Sequence, residues 1–540
     1  MTRAAVDLRH FPLVRRLAVD YVYRFEALAG FFAGDPTSAD AWRAAIGRVQ
    51  RHPRQRDVLA DLLIAQQARR GAPPAARAAA DRLRDSRTVA IVTGQQAGAF
   101  GGPLFTLLKA LTTIKLAART AEQHGVPAVA VFWIDSEDHD WDEVSATTVL
   151  DGDLKPRRIA LPAPDDAGEV PVAAVRLDER IKHAIDELRE VLAPTEFTDD
   201  LLADLGSAYA PGTGMADAFG RWLERCLGAH GLIVFDCADP AAKPLAAQVF
   251  SHELSHPGRT SALASSAGSA LEALGYHAQV AAHPDGIALF ALDGGRRAIR
   301  REGERFLVGD VARESASLVR AAEDSPHRFS PNVLLRPLVQ DTLFPTVCYV
   351  SGPSELAYLA QLRGVYEHFG VPMPLIHPRA TATLLDAAAA RFLARYEVPL
   401  DALQPQDEAW LNRLLMAQLP PQVEASLQEA RLVLEERMAA VIRAVPAIDP
   451  TLEGAARSTL GKMEHDLRTL HAKVIQAAKR RDETLRRQFI RARAQAFPGG
   501  HLQERELGFV FFLNRIGLEL VNVLRAELPL EPGHHWIITV

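Results

Sequence analysis

Residues 93–103 read TGQQAGAFGGP, which sets Gly94, Gly98, Gly101 and Gly102 around two adjacent amides, Gln95 and Gln96. Glycines at this density let backbone N–H groups converge on an anion, and a helix starting just after them adds its dipole. The pattern is neither a Walker A loop, because no Lys-Ser/Thr pair follows, nor GxGxxG. A tight turn that uses the glycines only for positive φ is the plainer alternative. Such a turn has no need of Gln95 and Gln96, so anion binding is the chemistry expected here.

A second group is the acidic run Asp135-Ser136-Glu137-Asp138-His139-Asp140, followed by Asp142 and Glu143. Carboxylates of this run, Asp138 foremost, could hold Mg²⁺ on a nucleotide, Asp135 could contact the nucleotide or substrate, and His139 could act as general base or meet a phosphate. The alternative is a solvated acidic loop that caps the next helix. Asp138 and His139 are stronger candidates than Asp142 or Glu143, which fall where that helix would begin. A third group lies in residues 330–341, with Asn332, Arg336, Gln340 and Asp341 among prolines and apolar residues. Arg336 stands between Leu335 and Pro337, so it should meet a carboxylate or a phosphate. An internal pair with Asp341 is the equal alternative. Ser351-Gly352-Pro353-Ser354-Glu355 and His377-Pro378-Arg379 complete the set.

Elements of a parallel sheet would position all of these groups. Residues 88–93 form a short apolar run that ends on glycine, as buried strands do. Pro103 then opens a helix over residues 104–120, and a second strand follows at 128–134. Strand, turn, helix and strand make a βαβ unit. Further strands are expected at 232–235, 346–350 and 373–376, with helices from 241 to about 253 and over 353–369. Each candidate turn would then lie at the C-terminal edge of one sheet, where ligands of open α/β sheets bind.

The organisation expected is a helical segment over 1–87 and an α/β core over 88–400. Inserts interrupt the core at about 147–210 and 279–325. The second reads as antiparallel β, with turn signals at residues 283–286, 293–295 and 302–304. Leu460, Met463, Leu467, Leu470, Val474 and Ala477 step by three and four residues, a coiled-coil seam. Val423, Leu427, Ala430 and Leu434 form a weaker seam upstream, broken off by Pro446 and Pro450. A helical hairpin over 401–500 follows, its seam free to pair with a second copy or only with its own core. Residues 501–540 should add an apolar helix and a closing strand that pack back on the core.

Composition excludes several classes. The chain has 540 residues, 61 Lys+Arg against 67 Asp+Glu, and a net charge of -6, with no basic footprint of a nucleic-acid binder. No run reaches the roughly 18 apolar residues of a membrane helix, and the first twenty residues lack a signal-peptide core, so a cytoplasmic protein is expected. Cys226, Cys237 and Cys348 are too scattered for a disulfide framework or zinc site and read as packed thiols. His534-His535 reads as a surface pair. The basic clusters 479–481 and 487–493 could hold a second phosphate ligand, although a solvated basic face is the preferred reading.

The segments 92–104 (VTGQQAGAFGGPL), 132–143 (FWIDSEDHDWDE), 330–345 (SPNVLLRPLVQDTLFP) and 349–362 (YVSGPSELAYLAQL) together resemble the BshC family, the cysteine ligases of bacillithiol biosynthesis. Residues 371–385 (VPMPLIHPRATATLL) and 497–504 (FPGGHLQE) extend the resemblance almost to the end of the chain. Ala99 and Phe105 depart from it, where Leu and Tyr are expected. The resemblance implies an α/β fold: a Rossmann-like core with connecting-peptide inserts and a C-terminal coiled-coil domain that forms homodimers. It implies ligation of L-cysteine to the amino group of glucosaminyl-malate. ATP would activate the cysteine carboxyl, with Mg²⁺ at Asp138. Gly94, Gly98, Gly101 and Gly102 would cradle phosphates; Asp138 and His139 would position metal or amine. Arg336 or Arg379 would neutralise charge, and Asp135, Asn332, Gln340, Asp341, Ser351, Gly352 and Glu355 would line the substrates. Another nucleotidyltransferase or amide ligase, or a non-catalytic nucleotide-binding dimeric scaffold, remains as the alternative.

Overall fold

The structure is a computed structural model that describes residues 3–540 apart from 12, 13, 164–167, 169, 282, 419 and 420. It divides into two units, Met1–Thr383 with Gln503–Ile538, and Leu384–Leu502 with Thr539–Val540. The division falls before the helix Ala387–Tyr396, earlier than the boundary at residue 400 read from the sequence.

The first unit is built on five parallel strands. Across the sheet they run Leu232–Asp236, Ala128–Ile134, Val89–Gln95, Thr346–Ser351 and Leu375–Pro378. Taken in chain order this is 3-2-1-4-5, so the direction of winding reverses between Val89–Gln95 and Thr346–Ser351. Val89–Gln95 (VAIVTGQ) is buried at all but its last residue, as a central strand covered on both faces must be. The helix Leu104–His124 covers one face, starting after Pro103 and ending on Gly125 at φ 63°. Its Thr112, Thr113 and Thr120 return their hydroxyls to the carbonyls four residues back, which lets polar residues sit in a buried helix.

The N-terminal segment is not helical throughout. Arg3–Asp7 is a strand antiparallel to the C-terminal strand, with Arg3 opposite Ile538. Its five residues, RAAVD, are too few and too mixed to show a strand period. The helix expected over 353–369 is two, Glu355–Leu359 and Arg363–Phe369. The C-terminal apolar helix likewise divides at Gly517 into Phe509–Ile516 and Glu519–Glu527. The first insert opens with a hairpin, Ala146–Leu150 against Pro156–Ala160, and continues as helices. The second is a five-stranded antiparallel sheet in which Gly286–Leu292 pairs with both Arg296–Glu302 and Phe329–Pro331.

In the second unit Pro421–Ala444 and Leu452–Arg481 form the helical hairpin, turning through Val445–Ala447. Met463 and Leu470 of the expected seam stay 40% and 49% exposed, and Leu432 of the facing helix 59%. In the basic cluster, Arg491 pairs with Asp386 and Arg493 donates to the Asp407 carbonyl. The side chains of Lys479 and Arg481 lie outside the described residues.

Candidate active site

A cavity of about 760 Å³ opens at the C-terminal edge of the parallel sheet, where the winding reverses. Strand ends supply its floor: Gly94 and Gln95, Asp135, and Tyr349 with Gly352. Ligands of open α/β folds gather at such a switch point because two loops leave it in opposite directions. The candidate residues Gly94, Gln95, Gln96, Asp135, Asp138, Asn332, Arg336, Gly352, Glu355 and Arg379 all line it. Glu143, the weaker candidate of the acidic run, lines it too, as do Lys109, Arg296, Tyr349, Tyr358 and Arg505, which the sequence did not single out.

Lys109 projects from the buried helix Leu104–His124. Its ammonium donates to the Gly94 carbonyl (2.8 Å) and Gln95 Oε1 (3.3 Å) and meets Glu355 Oε2 at 2.6 Å. Three acceptors use all three of its protons. Burial pushes the Lys109 pKa down, and Glu355 opposes that shift. Glu355 Oε1 accepts from Tyr349 (2.8 Å) and Tyr358 (3.3 Å), and Oε2 also accepts from the Gly352 N–H. Burial alone would raise the Glu355 pKa, but Lys109 and these donors bring it below the usual value. Glu355 is therefore the hub of a fixed network rather than a free ligand group.

Arg336 joins that network through Tyr358 (3.3 Å), contacts Gln340 Oε1 at 3.4 Å and stands 3.6 Å from Asp135. The pairing with Asp341 expected as an alternative does not form. Asp341 instead accepts from Tyr366 and from Gln340 (2.9 Å), and burial raises its pKa to about 6. Gln340 and Asp341 do not line the cavity; Gln340, one turn along the same helix face, links Arg336 to Asp341. Asn332 spends its side-chain oxygen on the N–H groups of Leu334 and Leu335, fixing the entry to that helix.

Asp138 accepts from Gln96 Nε2 (2.7 Å), the His139 N–H (2.8 Å) and Arg296 Nη1 (3.2 Å). Burial raises its pKa, but these donors outweigh that and hold it below the ordinary value. A carboxylate so fully engaged is a poor Mg²⁺ ligand, which corrects the expectation placed on Asp138. Asp135 stands 3.6 Å from Arg336 and within reach of the charges of Asp138, Arg296 and Glu355, and burial pushes its pKa up, as burial also does for Glu143. His139 is half exposed at the rim, outside the cavity lining, 3.4 Å from Asp138 Oδ1. The other acids of the run serve structure. Glu137 turns inward to Lys243, and Asp140 caps Trp141–Val144 through the Glu143 N–H.

The glycine turn divides in two. Gly94, Gln95 and Gln96 face the cavity, whereas Gly98, Gly101 and Gly102 do not. The Gly101 N–H donates to the Gly98 carbonyl and to the Tyr209 hydroxyl, and the Gly102 N–H donates to the Ala99 carbonyl. These N–H groups are already satisfied, so they form no phosphate cradle. The glycines answer crowding instead: a Cβ on Gly101 (φ +96°) would lie 2.3 Å from the Phe509 ring, and one on Gly98 2.9 Å from Gly102. Ser351 is likewise buried away from the cavity, its carbonyl accepting from the Arg379 N–H.

Arg379 is held in a bidentate pair with buried Glu504 (3.0 and 2.6 Å). Its Nε, the Nε of Arg296 and Oε1 of Gln96 are buried without a hydrogen-bond partner. Two donors and an acceptor left open on cavity residues are what a polar ligand would complete. All three cysteines are buried, and burial raises their thiol pKa values, so none is a nucleophile. His535 is fully buried, bonded to Thr381 and Thr383, and is no surface pair with His534.

A family model described as "Bacillithiol biosynthesis BshC, N-terminal Rossmann-like domain" matches residues 1–380, and one described as its "C-terminal coiled-coil domain" matches 382–540. A Salinibacter ruber protein named "Putative cysteine ligase BshC" is 36% identical over 528 residues, covering 97% of this chain and 96% of its own. Proteins of the same name from Koribacter versatilis and Geobacillus thermodenitrificans are each 32% identical, covering 98% and 99% of this chain and 99% and 100% of their own. No helix among the described residues is long and apolar enough to cross a membrane.

Proposed function

Because the chain belongs to the bacillithiol biosynthesis family BshC, we propose that it joins the carboxyl of L-cysteine to the amino group of glucosaminyl-malate. The amide formed completes bacillithiol. The observation that carries this reading is the mixed charge of the switch-point cavity. Arg296, Arg336, Arg379 and Arg505 face it together with the carboxylates Asp135, Asp138 and Glu143. The two substrates carry carboxylates at one end and amines at the other, so a site of both signs suits them. Its volume falls within the range of small-molecule sites.

A carboxylate does not acylate an amine unaided, and ATP is the activator we assign. The open Nε donors of Arg296 and Arg379 suit phosphate or carboxylate oxygens, so side chains rather than the glycine turn would hold the anion. Asp135 is the carboxylate best placed for Mg²⁺ on such a nucleotide, since Asp138 is already engaged. Arg336 would neutralise charge that builds on the cysteine carboxyl. Glu143, its pKa raised by burial, would take the proton that the ammonium must lose before it attacks. His139 would help to orient the amine from the rim.

We assign the reaction to the cytoplasm, where the three buried cysteines stay reduced. The exposed Leu432, Met463 and Leu470 support a homodimer through the helical hairpin. Sedimentation of Met463→Glu/Leu470→Glu as a monomer beside a wild-type dimer would support it; equal masses would refute it. The function itself is tested in a bacillithiol-producing host from which the corresponding gene is deleted. Thiol mass spectrometry should show bacillithiol lost and then restored by this chain but not by Arg336→Ala. Bacillithiol unchanged by the deletion, or not restored by the wild-type chain, would refute it.

A further inference from the structure

Three histidines from two separated segments converge on the first unit, away from the cavity described above. His252 lies in the last turn of the helix Ala247–Ser255, His256 follows as its C-terminal cap, and His368 belongs to Arg363–Phe369. One ring nitrogen of each lies within 4.8 Å of the other two. We propose that these three imidazoles bind a divalent transition ion of the zinc class.

The distances favour coordination over a simple hydrogen bond. His252 Nε2 and His368 Nε2 are 3.3 Å apart. That is long for an N–H···N contact but matches the edge of a tetrahedron with metal–nitrogen bonds of about 2.0–2.1 Å, an edge of about 3.3 Å. His256 and His252 stand four apart, on one face of the helix end. His256 Nδ1 is 2.9 Å from the His252 carbonyl. A carbonyl only accepts, so Nδ1 carries the proton and Nε2 keeps its lone pair. Backbone anchoring of the non-ligating nitrogen is the usual way a metal-binding imidazole is fixed.

Two further features suit a cation. The site caps the C-terminal end of Ala247–Ser255, where the helix dipole favours positive charge. Phe369 packs on His252 and His368, with ring centroids at 4.7 and 5.3 Å, and forms an apolar wall behind them. His256 is exposed, so a fourth position stays open to water. Burial, then the nearby His256 and Arg259, lower the His368 pKa, and the Arg259 charge opposes the ion. The ion would clasp Ala247–Ser255 to Arg363–Phe369.

The test is a titration of untagged, full-length, metal-stripped protein with Zn²⁺ and, separately, Co²⁺. One equivalent should bind, and affinity should fall at least tenfold in His252→Asn and in His368→Asn but not in the exposed control His327→Asn. Zn²⁺ should raise the melting temperature of the wild type and of His327→Asn, but not of His252→Asn or His368→Asn. Wild-type affinity equal to that of His252→Asn/His368→Asn would overturn the proposal. Should that double variant not fold, diethyl pyrocarbonate labelling of the wild type decides. Protection of His252, His256 and His368 by Zn²⁺ supports the site, and equal labelling with and without Zn²⁺ refutes it.

Discussion

Lys109 Nζ and Glu355 Oε2 lie 2.6 Å apart, joining the helix after the first strand of the sheet to the turn after the fourth. Through them the Gly94 carbonyl, Gln95, Tyr349 and Tyr358 are fixed around one cavity. Removing one partner of a buried pair leaves a charge uncompensated, typically at a cost of about 3–5 kcal/mol. Lys109→Met should lose stability on that scale in urea unfolding, together with ligase activity. A variant that keeps wild-type stability would mean the pair does not organise the site.

Gly101→Ala separates two roles for the glycine turn. Its Cβ would collide with the Phe509 ring at a backbone φ of +96°. Overpacking costs about 1–3 kcal/mol before any backbone strain is added. The melting temperature should drop sharply, while protein that remains folded keeps its affinity for ATP. Lost ATP affinity at unchanged stability would instead restore the turn as a phosphate cradle.

Arg336→Lys keeps the charge and removes the planar fork that reaches Asp135, Gln340 and Tyr358 at once. We expect kcat/KM to fall on the order of 10²-fold, as when a group that stabilises developing charge is lost. Circular dichroism should stay that of the wild type. Activity within twofold of wild type would remove Arg336 from the chemistry.

His535 gives the fold a pH dependence. Burial lowers its pKa from 6.5 to about 4. The unfolded chain therefore takes up a proton near pH 6.5 that the folded chain refuses until about pH 4. Stability supplied by neutral His535 is present above pH 6.5 and is lost as pH falls toward 4. From pH 7 to pH 5 the stability gap between wild type and His535→Asn should narrow by on the order of 2 kcal/mol. A constant gap across that range would contradict the assignment.

Much of this architecture was legible in the chain. The buried strands announced themselves as short apolar runs closed by a small or polar residue, and Ala128–Ile134 lies where the run of apolar residues places it. Turns at strand ends shared an edge because parallel strands must share direction. What pattern could not say is which way each side chain faces. Gly98 and Gly101 read like Gly94, yet their N–H groups are satisfied internally. Gln340 and Asp341 follow Arg336 along one helix but are buried behind it, outside the cavity lining. Lys109 had a signal that went unused, as the first charge in the apolar opening of the helix that starts at Leu104. Arg296 had none, being one of several arginines in a β insert whose docking only tertiary structure reveals.

Everything proposed for the cavity meets in one reaction. Purified protein incubated with ATP, Mg²⁺, L-cysteine and glucosaminyl-malate should yield bacillithiol by mass spectrometry. The product should appear only when all components are present, and alanine or serine should not replace cysteine. Nucleotide binding without turnover, or equal turnover of other amino acids, would contradict a cysteine ligase at this site.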